Sequence, residues 1–153
     1  MVNEERKPVT ILRDADGVAV GVMVETLDMR FALELHQLDG GKAFDWYEAM
    51  DRLKELGKDG FDEKQGKIIA AYHKEIGAAL REVDGDPLGW EWAVGEYNGS
   101  LAWFYYATYG ALNHTYKYSS YQVRALLASE LIEKLIGPRR LSGAAVEKSE
   151  DAE

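Results

Sequence analysis

Two carboxylates, Glu91 and Glu96, are the only acids between Trp90 and Arg124, and they are the first candidates for chemistry in this 153-residue chain. Acid–base cleavage of a glycosidic bond needs two carboxyl groups flanking one bond at a defined separation. The three histidines, at 36, 73 and 114, lie too far apart and in too different settings to suggest a metal site. His114 stands near Ser119 and Ser120, but no local pattern supplies the buried acid that a serine nucleophile also requires. Asp84-Gly85-Asp86-Pro87 sets two carboxylates around a glycine as a calcium loop does, yet no later acid completes the ligand spacing. It reads as a turn. The chain has no cysteine, which excludes disulfides, thiolate metal sites and cysteine nucleophiles. No catalytic residue, cofactor or metal is expected.

The stronger chemical signal is recognition. Residues 90–124 hold eleven aromatic side chains and only four formal charges, Glu91, Glu96, Lys117 and Arg124, which cancel in a chain of net charge -9. Tyrosine hydroxyls require a partner or water, so a single domain can bury only some of these rings. Either they build a tyrosine-rich core or they form a rigid aromatic platform that touches a ligand. The acidic balance without a basic cluster argues against nucleic acid, whose backbone needs Lys and Arg to displace counterions. No run is long enough for a membrane-spanning helix, and the first ten residues are too charged for a signal peptide. A cytoplasmic or virion-associated protein is therefore expected.

The elements that must position this stretch follow from periodicity. Residues 1–10 are polar and read as a flexible N-terminus. Val18, Val20, Val22 and Val24 alternate over 18–26, predicting a strand with one buried face, and Phe31, Leu33 and Leu35 predict a second over 29–37. Leu27-Asp28 joins them as a hairpin. His36 falls on the polar side of its strand. Asp45 with Glu48 three residues on predicts a capped helix whose stripe is Trp46, Ala49, Met50, Leu53 and Leu56, closed by Gly57. Asp62 can cap one longer helix to about residue 83, with His73 on its wet face. Leu101, Trp103, Tyr105 and Ala107 alternate with Ala102, Phe104, Tyr106 and Thr108, giving a strand aromatic on both faces. Tyr116, Tyr118 and Ser120 alternate with Lys117, Ser119 and Tyr121 in the same way. A last strand (Val123, Ala125, Leu127) and a helix over 125–136 compete for residues 125–128. A disordered acidic tail is expected over 138–153.

The order of these elements, with several fragments, resembles a C-type-lectin-like ligand-binding domain common in gut bacteria and their phages, whose relatives include the variable proteins of diversity-generating retroelements. The family's W-x-E-A-M is similar to Trp46-Tyr47-Glu48-Ala49-Met50, and its I-x-x-A-L and G-x-P-L to Ile76–Leu80 and Gly85–Leu88. Its W-S-S-T-E-Y resembles Trp92–Tyr97, its Ala-Trp pair Ala102-Trp103, and its closing Y-x-V-R Tyr121–Arg124. The family's R-L-P-T-K-E turn is replaced by Gly60-Phe61-Asp62-Glu63-Lys64, and its Ser-Ser-Thr by Ala93-Val94-Gly95, which marks a divergent copy.

The resemblance implies an α+β fold with small antiparallel sheets flanked by two helices, spanning 11–128, here with an extra C-terminal helix at 129–137. It implies binding rather than catalysis; some relatives are enzymes, notably the formylglycine-generating type, but their chemistry uses cysteines with copper and this chain has no cysteine. It makes Glu96 a loop anchor with Arg124 as its ion-pair partner, and it places Trp46, Trp92 and Trp103 in the core with Tyr97 and Tyr121 half-buried. The residues between the motif positions are then the ligand-binding candidates: Asn98, Phe104, Tyr106, Tyr109, Asn113, His114, Tyr116 and Tyr118. Tyr with Asn, Ser and His is the composition of a paratope and of a sugar-stacking surface, so a protein or glycan ligand is expected. The alternatives are a phage or prophage assembly protein with the aromatics in a homo-oligomer interface, and a carbohydrate-active enzyme using Glu91 or Glu96.

Overall fold

The computed structural model describes residues 7–139. Residues 1–6 and 140–153, including most of the expected flexible N-terminus and acidic tail, lie outside the described residues. The chain is mixed α+β, with four α-helices and two small antiparallel sheets among the described residues. Among these residues no helix is long and apolar enough to cross a membrane.

The first sheet starts earlier than the polar composition of residues 1–10 suggests. Strand β1 (Val9–Arg13) pairs with β2 (Ala19–Glu25), which pairs with β3 (Arg30–Glu34) across the expected hairpin. Val9 opposite Val24 and Ile11 opposite Val22 put apolar partners across the first pair, which holds this strand to the sheet. Strand β2 is also not buried on one face only. Val22 and Val24 enter the main core, while Met23 packs with Leu12, Ala32 and Ile132 on the opposite side. That second face is covered because the helix over Ser129–Ile136 lies on it, a partner no local alternation pattern can reveal.

Helix α1 (Trp46–Leu56) begins at a capping box in which the Asp45 carboxylate accepts the Glu48 N–H and Glu48 accepts the Asp45 N–H. It ends at Gly57, whose left-handed φ of 65° suits glycine. Trp46, Ala49 and Leu53 are buried, whereas Leu56 in the last turn is exposed. The two-residue strand β4 (Asp59–Gly60) follows, and Phe61 plugs the core.

The single long helix expected from Asp62 is two helices, α2 (Glu63–Ala71) and α3 (His73–Glu82), broken at Tyr72 (φ -113°, ψ 25°). Asp62 caps the first in a second capping box, with Gln65. At the break the His73 Nδ1–H donates to the Ala70 carbonyl at 2.8 Å, replacing a continuing helical bond. His73 is thus partly buried rather than on the wet face. Its ring packs under Gly110, whose φ is +61° and whose missing Cβ would stand 2.7 Å from Nε2.

The second sheet is β5 (Glu91–Glu96), β6 (Leu101–Tyr106) and β7 (Ala111–Tyr116) in that order. It is sandwiched. Tyr105 joins the core formed with β2, β3, α2 and α3, and Trp103 packs against it. Ala102 and Phe104 point the other way, into a second core with Trp46, Trp92, Val123 and Ala125. Residues 116–121 do not continue as a strand, because Lys117 buries its side chain and the chain turns over 117–119. The segment then returns to the first sheet as β8 (Ala125–Leu126), between β3 and β4. Helix α4 (Ser129–Ile136) follows, so residues 125–128 divide between a short strand and a linker.

Candidate functional site

The site is built from a buried ion pair outwards. The Arg124 guanidinium is wholly inaccessible and lies against Glu91, itself 1% exposed. Its Nε donates to Glu91 Oε1 at 3.1 Å, and Nη2 to Oε2 at 3.1 Å. The remaining N–H groups donate to four main-chain carbonyls, those of Glu34, Leu35, Asp86 and Pro87, at 2.8–3.0 Å. Glu91 Oε2 also accepts from Gln37 Nε2 (2.8 Å) and the Gly89 N–H (3.0 Å). All of these groups clamp the loop over 84–90 between β3 and β5. The Asp86 carboxyl is held below the usual carboxylate range, first by the Gln37 N–H and then by His36 beside it. His36, though exposed, therefore has a partner at 3.4 Å.

This clamp corrects the expected pairing of Glu96 with Arg124. Glu96 instead meets Lys117, whose Nζ donates to Glu96 Oε2 at 2.6 Å and to the Gly99 carbonyl at 3.0 Å. The Lys117 ammonium lies 4.8 Å from the Trp46 ring centroid and 5.5 Å from that of Tyr47. The hydrogen bond that Lys117 donates to Glu96 raises the lysine's pKa. Glu91 is thus satisfied by a buried guanidinium, an amide and a main-chain N–H, and the more exposed Glu96 is paired with a lysine.

What the clamp presents is Trp90, which follows directly on the held loop. Its ring stands edge-on to Tyr106 (5.0 Å between centroids, 84°) and tilted to Tyr121 (5.6 Å). Tyr106 in turn meets Tyr109 edge-on at 5.0 Å. Tyr121 is stacked on Phe104 (4.6 Å, 10°) and edge-on to Trp92 (5.2 Å). Tyr109, Tyr106, Trp90 and Tyr121 therefore form a ladder of rings whose supports, Phe104 and Trp92, are buried at 4% and 1% exposure while Tyr109 is 73% exposed. Beside it opens a cleft of about 370 Å³ lined by Ala43, Gly89, Trp90, Ala107, Tyr121 and Gln122. Ser120 completes the lining, which contains no Asp, Glu, Lys, Arg or His.

The sequence-predicted residues do not all converge here. Tyr106 and Tyr109 are in the ladder, and Asn113, opposite Phe104 on β7, faces the same side with its side chain exposed. Phe104 is a correction: it is core, because the chain over 117–124 returns across it and sets Tyr121 on its face. His114 and Tyr116 alternate to the other face of β7. There His114 stacks on Tyr97 at 3.9 Å, next to Trp103. Tyr97 is 48% exposed, about half-buried as expected, whereas Trp103, expected in the core, is only partly buried. Tyr118, 78% exposed, lies against Tyr47 at another corner (5.6 Å). Asn98 is spent on a turn, where its Oδ1 accepts the Ser100 and Leu101 N–H groups. Sequence reasoning missed Trp90 and Gln122 as surface residues, while Tyr121, expected to be half-buried, is partly buried at the end of the ladder. The available signal was the position of Trp90 just after the turn at Pro87, before the strand begins.

Compared with protein-family models, with curated proteins and with solved structures, the chain matches none.

Proposed function

We propose that this chain is a divergent C-type-lectin-like, non-enzymatic ligand-binding domain, and that it binds a protein or glycan through the aromatic ladder Tyr109–Tyr106–Trp90–Tyr121 and the cleft beside it. The observation that carries the reading is the arrangement of that ladder: the exposed rings of Trp90 and Tyr109 stand edge-on to the partly buried Tyr106, with Tyr121 tilted against Trp90, all backed by fully buried rings and anchored through a buried salt bridge. Preorganised aromatics of this kind offer large contact area at low entropy cost. The fold part of the reading is supported by contacts among the fragments that carry the resemblance. Trp46 donates to the Ala93 carbonyl, Trp92 to that of Phe44, and Arg124 holds Asp86, Pro87 and Glu91. A cytoplasmic or virion-associated location goes with this proposal. Assembly through Phe104, Tyr106 and Tyr116 gains no support from the geometry, since Phe104 is consumed by the domain's own core and Tyr116 faces away from Tyr106.

The test is a binding screen against immobilised glycans and bacterial surface proteins, followed by Tyr109→Ala and Tyr116→Ala. The expected result is a ligand whose affinity falls at least about tenfold with Tyr109→Ala, as for an interface anchor, and is unchanged by Tyr116→Ala. A ligand indifferent to Tyr109→Ala and to closure of the cleft by Ala43→Trp would overturn the proposal.

A further inference from the structure

We infer that the cleft beside Trp90 is a subsite for the ring of one uncharged sugar, held without a bridging metal ion; this rests on the ligand-binding reading above and names the ligand class. Charge selects first. The chain carries -9 overall, yet no carboxylate, ammonium, guanidinium or imidazole lines this cleft. An anionic or cationic group placed here would be desolvated with no counter-charge to meet it. A hard cation would find only the Gln122 amide and the hydroxyls of Ser120 and Tyr121 among the lining side chains, none of them charged and too few oxygens for a calcium-bridged contact.

Size and polarity select next. At about 370 Å³ the cleft is near the lower end of the range for small-ligand pockets, enough for one ring and its substituents but not for an extended chain. A pyranose has an apolar C–H face and a rim of hydroxyls that each donate and accept. The indole of Trp90, 39% exposed, can take the first. Gln122 can take the second. Its Oε1 accepts one bond from Gln37 Nε2 (3.1 Å) and its Nε2 donates one to the Gly41 carbonyl (3.2 Å). A carboxamide has two lone pairs and two N–H donors, so one of each remains on adjacent atoms, the pairing that vicinal hydroxyls present. Ser120 adds a further hydroxyl at the rim. The amide is held in place as well: its backbone N–H donates to the Trp90 carbonyl at 2.9 Å, and Gly89 leaves it room, since a Cβ there would stand 2.3 Å from Oε1.

The experiment follows the Trp90 indole N–H resonance of the full chain by NMR, assigned through Trp90→Phe, during titration in the presence of EDTA. The probes are the methyl glycosides of glucose, galactose, mannose and N-acetylglucosamine, then glucuronate as an acidic sugar and p-cresol as a tyrosine side chain. The expected result is a saturable shift with at least one neutral glycoside, at least about tenfold weaker with glucuronate and in Ala43→Trp, a variant that fills the cleft while keeping every ring and hydrogen bond described. Saturation by p-cresol and by no sugar overturns the sugar inference but keeps the aromatic cleft as a site for a protein side chain. A resonance that responds to no probe overturns both. Sugar binding that Ala43→Trp leaves intact, or that EDTA abolishes, overturns the subsite as described.

Discussion

Removing the Arg124 side chain should destabilise this domain more than removing its carboxylate partner, and replacing both with apolar residues should not restore it. For an ordinary buried ion pair, loss of one partner costs about 3–5 kcal/mol, while joint replacement by apolar groups is often neutral. Arg124 departs from that case because it also donates to four main-chain carbonyls, and although that of Leu35 keeps a second donor in the Asp86 N–H at 2.8 Å, those of Glu34, Asp86 and Pro87 depend on the guanidinium. Their surroundings are partly buried, so each stranded acceptor costs at the lower end of the usual range, about 1 kcal/mol. Glu91→Ala should then cost about 3–5 kcal/mol. Arg124→Met should cost more than that, and the Glu91→Leu/Arg124→Met double variant should remain about 3 kcal/mol below wild type. Against a typical total of about 5–15 kcal/mol, these are large losses. Urea unfolding followed by circular dichroism gives the three free energies, and acrylamide quenching reports whether Trp90 has been released with its loop. A double variant within about 1 kcal/mol of wild type would refute the reasoning, because the carbonyls would then not need the guanidinium.

Three further outcomes follow from the same contacts. The Tyr105 hydroxyl is pushed up to about 12 by burial and then by nearby Glu91; its contribution to stability is full below about pH 10 and is lost as pH rises towards 12. Wild type should therefore lose about 2–3 kcal/mol more than Tyr105→Phe across that window, measured by denaturant titration, and parallel curves would contradict the assignment. Phe104→Ala should cost about 3–5 kcal/mol whereas Tyr116→Ala should stay within about 0.5 kcal/mol; thermal melts that rank them the other way would remove Phe104 from the core. Asp45→Ala and Asp62→Ala, each deleting the acceptor of a capping box, should each cost about 0.5–2 kcal/mol by urea unfolding, and no loss at either would show that cap to be idle.

The features legible in the sequence are those that neighbouring residues settle between themselves. Asp45 with Glu48 and Gly57 marks both ends of α1, because a capping box and a left-handed cap close within a few residues. The hairpin between β2 and β3 follows from apolar alternation on either side of a two-residue turn. The concentration of rings over 90–124, and the small net charge there, also identify the general region of the candidate site.

What tertiary structure decided is which layer meets each face. Alternation shows that Phe104 and Tyr106 share one side of β6, but only the returning segment determines that Tyr121 covers Phe104 and leaves Tyr106 beside Trp90. Met23 needed α4, more than a hundred residues away, to be buried at all. The exchange of ion-pair partners has the same origin. Glu91 and Glu96 lie on one short strand, and composition cannot choose between them. The Glu91–Gln122 bridge fixes the register that brings Arg124 to the first, and the turn after β7 brings Lys117 to the second. A charge pair forms where the backbone delivers both groups, and that position is set by the pairing of strands distant in sequence.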